Sequence, residues 1–243
     1  LPIKKLASFL IGSCTFISSC KDDFADINTN PTIVSKPDPR YLFTQALANF
    51  DGHDYFAWYY DYNNMLRWSQ TVASTGGNEN LMTTMSNSGK MGSQVYNVMN
   101  QVNELTYIVN TTLEGEEQAK YTYLKALCQP LMIYLAMWDT DMYGSMAYTE
   151  AYQARYGGTL TPKYDTQAEL FDLWEKQLKE TVETLANDVT IDGNKVTQQS
   201  LGSQDIIYQG DYTKWLKFAN SLRLKLAVRL INEDKNRALN IVR

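Results

Sequence analysis

Apolar residues recur at helical spacing along most of the chain. Residues 91–113 carry Val95, Met99, Val102, Leu105 and Val109, three and four positions apart, which is the pattern of an amphipathic helix. Gly115 breaks that run. Residues 116–138 resume it with Tyr123, Leu127, Leu131, Tyr134 and Trp138, and Pro130 is expected to kink or divide the helix. Residues 40–50 predict a short amphipathic helix, and 54–73 a strongly aromatic one. Residues 139–164 read as irregular. Thr166 and Glu169 form a capping box ahead of Leu170, Trp174, Leu178, Val182 and Leu185. Asp188 to Gly210 is a polar loop. Asp211 then caps a helix with Trp215, Phe218, Leu222, Leu226 and Leu230 on one face. No strand pattern persists for more than a few residues. The pattern predicts an all-α fold of antiparallel helix pairs. It is still helical at Arg243 with no stop signal, so the chain is expected to be truncated. An array of helix pairs cut between units would show apolar surface at its end.

The first residues follow a different rule. Lys4 and Lys5 precede an apolar run from Leu6 to Ile17, and Ser18-Ser19-Cys20 follows. Twelve apolar residues are too few to span a bilayer as a helix. A positive start, an apolar stretch and small residues at a cleavage point make a bacterial signal peptide. Its end resembles a lipobox, which makes Cys20 the candidate lipidation site. The expected organisation is a signal peptide over 1–19, a lipidated N-terminus and tether over 20–38, and a helical domain over 39–243. Acyl chains would anchor the chain to a membrane at roughly 0.8 kcal/mol per buried CH₂.

That organisation accounts for the cysteines. Cys14 leaves with the signal peptide and Cys20 is acylated. Cys128 remains alone in an apolar helical stretch, where it is expected in the core, so no disulfide framework exists. Cleavage also takes two of the 22 basic groups and none of the 27 acidic ones, moving the net charge from −5 to −7. A basic face for nucleic acid is therefore not expected. A single histidine, His53, argues against His-based metal sites and catalysis. Phosphate-binding glycine loops, nucleophile elbows and paired cysteine motifs are absent. Asp139 and Asp141 read as helix-end acids. No catalytic, metal or cofactor site is assigned.

Seventeen tyrosines against eight phenylalanines is the compositional oddity. Phe fills a core as well as Tyr does, so the excess points to rings with a wet, polar end. The 54–73 segment carries aromatics on more than one face, and the loop after it holds several asparagines. Tyr55, Trp58, Tyr59, Asn78 and Asn80 are the candidate ligand contacts: ring faces stack on the C–H faces of sugars, and amides reach the hydroxyls. The rings of the later helices, Trp174, Trp215 and Phe218 among them, are expected in the core.

Four stretches carry a family resemblance. Residues 20–31, Cys-Lys-Asp-Asp-Phe-Ala-Asp-Ile-Asn-Thr-Asn-Pro, look like the mature start of SusD/RagB-type outer-membrane lipoproteins of Bacteroidetes. Tyr143-Gly-Ser-Met-Ala-Tyr148-Thr149-Glu150-Ala151 resembles that family's Tyr-Gly-Asp-x-Pro-Tyr-Thr-Glu-Ala segment, with Ser145 and Ala147 in place of Asp and Pro. Tyr164-Asp165-Thr166-Gln167 matches its Tyr-Asp-x-Gln entry into a helix. The run from Asp205 through Tyr208, Gly210, Asp211 and Trp215 to Arg223 resembles its most recognisable block.

The resemblance implies tetratricopeptide-like helix pairs. It also implies a lipoprotein on the outer membrane, facing the cell exterior, of which this chain is roughly the N-terminal half. Such a protein binds a glycan, or in some members a peptide, and delivers it to a SusC-like TonB-dependent transporter. Asp22 and Asp23 resemble the surface-export signal of such lipoproteins. Two rivals stand beside this reading: a lipid-anchored glycoside hydrolase, since two of so many acids can always meet in space, and a helical-repeat scaffold that binds only protein.

Overall fold

The computed structural model describes residues 38–50, 65–73 and 94–242. Asp38 starts the first helix, α1 (Pro39–Ala48), by accepting the Arg40 amide at 2.9 Å, with Pro39 in the first turn. A single turn, α2 (Leu66–Trp68), follows in the aromatic segment. The long helices are α3 (Gln94–Thr112), α5 (Thr122–Tyr143), α6 (Gln167–Ala186) and α7 (Tyr212–Leu230), with the short α4 (Gly115–Ala119) and α8 (Lys235–Ile241) between and after them. Neighbours in sequence pack together: α3 on α5, α5 on α6, α6 on α7 and α7 on α8, while α1 lies on α3. The fold is all-α, built of tetratricopeptide-like helix pairs.

The periodic apolar positions do form the core. Val95, Met99, Val102, Leu105 and Val109 are buried on α3, and Leu170, Trp174, Leu178 and Leu185 on α6. On α7 the stripe is Trp215, Leu222 and Leu226, with Phe218 half-buried beside Trp215. Cys128 is fully buried, and burial pushes its thiol up to about 12, so it behaves as an inert core group. The capping box at Thr166 and Glu169 is formed from both sides. Leu224 and Val228 on α7, Ile231 just after it and Leu239 on α8 stay exposed.

Three expectations need correction. The helix foreseen over 116–138 is broken at Lys120–Tyr121 and runs on to Tyr143. The polar loop 188–210 makes the break possible. Gln198 donates to the Ala119 carbonyl and accepts the Tyr123 amide, both at 3.0 Å, and the Gln199 amide donates to the Lys120 carbonyl at 2.9 Å. The orphan groups of two helix ends are thus satisfied from outside. Residues 139–143 are helical rather than irregular, because Thr140 is buried with Ala136 and Met137; Gly144, at φ +77°, ends the helix. Among the described residues of the 54–73 segment, the helix stops at Trp68 and a turn follows.

Pro130 does not divide α5. Its missing N–H leaves the Ala126 carbonyl, four residues back, without its helical donor. The hydroxyl of Thr181, buried on α6, donates to that oxygen at 3.4 Å. The bond is long, but it gives the buried hydroxyl and the carbonyl of half-buried Ala126 a partner at the α5–α6 contact.

Loop 188–210 opens with a small hairpin, β1 (Thr190–Ile191) against β2 (Asn194–Lys195). Asp192 and Gly193 both have positive φ, the geometry of a two-residue hairpin turn. The loop ends at Asp205, whose side chain is fully buried. It accepts the amides of Ile207, Tyr208 and Gly210 at 3.0 Å and the Trp215 indole N–H at 2.7 Å. Gly210 is required here: its φ is +81°, and a Cβ would meet the Gly202 amide nitrogen at 2.9 Å.

Thr181→Val is expected to cost about 1 kcal/mol in urea unfolding. The cost should shrink in a Pro130→Ala background, where a backbone amide again serves Ala126. Asp205→Ala strands four donors and should cost about 3 kcal/mol or more by the same measurement.

Candidate functional site

The residues from Gly144 to Asp165 form a loop closed at its neck. Met146 and Asp165 exchange backbone hydrogen bonds at 3.1 and 2.8 Å. The Asp165 carboxylate, almost wholly buried, accepts the amides of Tyr148 and Thr149 at 3.1 and 2.8 Å and the Thr149 hydroxyl at 2.8 Å. Lys163 lies 3.2 Å away, and its amide donates to Glu150. Burial alone would raise this carboxyl. The Thr149 amide and hydroxyl, the Lys163 ammonium and the Tyr148 amide outweigh burial and hold it below the ordinary carboxylate value. The two stretches Tyr143–Ala151 and Tyr164–Gln167 thus meet at one buried charge.

The body of this loop is laid against α3. The Tyr96 hydroxyl donates to the Ala147 carbonyl at 2.8 Å, Asn103 donates to the Ala151 carbonyl at 3.4 Å, and the Tyr156 hydroxyl donates to Glu104 at 2.6 Å. Arg155 pairs with the same Glu104 carboxylate at 3.1 Å. Two tyrosine pairs result. Tyr96 stacks on Tyr152 with centroids 5.9 Å apart, and Tyr107 lies on Tyr156 at 4.7 Å. Tyr107 is 45% exposed and Tyr152 47% exposed. Burial, and after it the Asp139 carboxylate, push the Tyr96 hydroxyl up to about 12. Burial and the bond to Glu104 raise Tyr156 further. Both hydroxyls therefore remain donors at neutral pH.

The loop tip opens an indentation of about 550 Å³ lined by Thr149, Glu150, Gln153, Tyr156 and Thr159, with Gly157 and Gly158. Gly158 is required there: a Cβ on it would lie 2.5 Å from Cβ of Gln153 and 2.9 Å from the Gln153 carbonyl oxygen. A second hollow, about 350 Å³, lies between Gln167 and Phe171 of α6, Arg229 and Leu230 of α7, and Arg237 of α8. Both arginines there are committed, Arg229 to Asp141 and Arg237 to Asp172 and Glu175. No group of three or more metal-ligating side chains occurs among the described residues. None of their helices is long and apolar enough to cross a membrane.

The predicted site residues Cys20, Tyr55, Trp58, Tyr59, Asn78 and Asn80 lie outside the described residues. The expectation that Trp174, Trp215 and Phe218 sit in the core holds for the two tryptophans, with Phe218 half-buried beside Trp215, while Tyr107, Tyr134, Tyr143, Tyr152 and Tyr164 are exposed. Tyr134 was placed on the apolar stripe of its helix; it instead sits at the rim, against Phe50 and Phe218 with the Lys225 ammonium over its ring. The pattern hid the α3 seam because its residues fall in two segments 50 positions apart. The available signal was the 96, 103, 107 spacing of polar-tipped residues on one face of α3.

The described residues thus form an all-α array of helix pairs with a tyrosine-lined surface. Over residues 30–243 the sequence matches the SusD-like family described as "Starch-binding associating with outer membrane", and the chain belongs to that family. Three solved structures share the fold. A SusD homolog from Parabacteroides distasonis is 20% identical, with a TM-score of 0.64 over 84% of this chain and 37% of its own. A Bacteroidetes SusD-like protein, AC2a, is 21% identical, with a TM-score of 0.63 over 85% and 36%. A structure named as a chitin-binding protein is 22% identical, with a TM-score of 0.60 over 84% and 42%. The chain thus spans about two fifths of the length of these structures. None of the curated proteins compared matches it.

The depressed pKa of Asp165 has a consequence for acid stability. Its contribution is present above the unfolded carboxylate value, near about 3.9, and is lost as pH falls through the lower folded value. Asp165→Asn should therefore be less stable than the parent at pH 7, and the gap should close in acid. Thermal unfolding measured from pH 7 to pH 2 checks this; a gap that stays constant would contradict it.

Proposed function

We propose that this chain serves in a nutrient-binding surface lipoprotein that captures an oligosaccharide, or a peptide, and hands it to a SusC-like TonB-dependent transporter. The family match over residues 30–243 carries this reading. In it, residues 1–19 are the export signal, Cys20 takes the lipid, residues 20–38 tether the chain, and residues 39–243 are the SusD-like helical domain. The lipid anchor holds the protein at the outer membrane, facing the exterior. The protein is non-catalytic: recognition by stacking and hydrogen bonding needs no reacting group, and the buried carboxylates Asp165 and Asp205 are consumed by structural donors. The net charge of −5, which becomes −7 once Lys4 and Lys5 leave with residues 1–19, supports a ligand other than nucleic acid.

Radiolabelled fatty acid should enter the parent and not Cys20→Ala. An outer-membrane TonB-dependent transporter should co-purify with the lipidated protein. The purified protein should bind one or more members of a glycan and peptide panel without releasing products. Product release abolished by a single carboxylate substitution would instead establish the hydrolase, and co-purification with no small-ligand affinity would establish the scaffold.

A further inference from the structure

The seam between α3 and residues 147–159 has features that packing alone does not require. Rings that serve a core are hidden, whereas Tyr107 and Tyr152 each present about half their surface. Their partners are fixed by hydroxyl anchors, Tyr96 to the Ala147 carbonyl and Tyr156 to Glu104. Tyr152 adopts φ +57°, a region unfavourable to a bulky residue, at a position where about half of it stays exposed. Strain of that kind persists only where the surroundings over-determine it. The Asp165 knot does so by fixing Tyr148 and Thr149 just before it.

We propose that this seam is a glycan platform on which a linear neutral oligosaccharide lies across both tyrosine pairs. The proposal rests on the nutrient-binding reading above and adds the surface and the ligand class. Tyr96 and Tyr107 are eleven residues apart on one helix, so the two pairs are separated by about 16 Å along α3. That span suits several linked sugar rings and exceeds a single one. The exposed ring faces offer flat apolar surface to the C–H faces of pyranoses, while Gln153, Thr149 and the free edge of Arg155 offer partners for hydroxyls. Glu104 is neutralised by Arg155 at 3.1 Å, and Glu150 at the loop tip is a further acidic group, a balance that disfavours an anionic ligand. The polar hollow at the loop tip continues the same surface.

Calorimetric titration of the full chain with α-1,4-glucan and chitin oligosaccharides, from disaccharide to heptasaccharide, tests this. Affinity should rise with length until both pairs are bridged. Tyr107→Ala and Tyr152→Asn, the latter chosen because Asn tolerates positive φ, should each weaken the longest bound glycan by about tenfold. Hydroxyl-radical footprinting should show Tyr107 and Tyr152 protected by that glycan. Unchanged melting of both variants separates lost contact from lost fold, and the footprint of the parent decides the case if either variant melts early. Wild-type affinity in the double variant, with no protection of the two rings, overturns the platform and leaves the nutrient-binding reading intact. Binding of peptides but of no glycan overturns the platform's ligand class, and binding of nothing in the panel overturns both.

Discussion

One buried carboxylate, Asp205, organises the turn that leads into α7. Four N–H donors converge on it, three from the backbone just after it and one from the Trp215 indole. The energetic logic is asymmetric. A buried charge is tolerable only when its lone pairs are filled, and each donor is tolerable in the interior only while the charge is there. The carboxylate therefore fixes the backbone between loop 188–210 and α7 and sets the orientation of the largest ring in that part of the core. Trp215 in turn touches Phe43 of α1 edge-on at 5.9 Å, and also Tyr208 and Phe218. A local turn is thereby coupled to a helix more than 160 residues earlier, and Thr44 repeats the link by donating to Gln204.

The same exchange of missing partners recurs where helices meet. Gln198 and Gln199 fill the ends exposed by the break before α5, and Thr181 fills the carbonyl left by Pro130. These bonds are individually small. They tie loop 188–210 to the start of α5 and α6 to its middle, so the helix that carries the 144–165 loop is held at both points. The precision of the α3 seam depends on that support, because a loop positions side chains only as well as its neck is held.

Most of the helices were legible because burial on one face imposes a period that survives in sequence. Val95, Met99, Val102, Leu105 and Val109 could hardly be anything else, and the Thr166–Glu169 box marks its helix start by local chemistry alone. What escaped is non-local. The break at Lys120–Tyr121 depends on Gln198, 79 residues from the Ala119 carbonyl it serves, and on Gln199 beside it, and no propensity of the broken segment announces it. The extension to Tyr143 was hidden by Asp139 and Asp141, which read as acids at a helix end until Asp141 is seen paired with Arg229 of α7. Asp205 and Asp165 were visible only as members of family-like stretches. Their role follows from burial, which sequence does not display for a short acid. Of the candidate site, the tyrosine excess foretold that wet rings exist, while their place on α3 and the 147–159 loop emerges only when the two segments are laid together.

The excess of Tyr over Phe has a physical meaning at that seam. A phenylalanine at 96 or 156 would stack equally well on its neighbour but would float, since only the hydroxyl reaches the Ala147 carbonyl or Glu104. Pinning the inner ring of each pair fixes the outer ring that rests on it without tethering the outer ring's own hydroxyl. Rigidity is supplied from the protein side, and the exposed face remains free. A surface built this way loses little side-chain entropy when a ligand lands on it, and that saving matters most for sugars, whose weak stacking and water-competed hydrogen bonds leave a small margin for ordering costs.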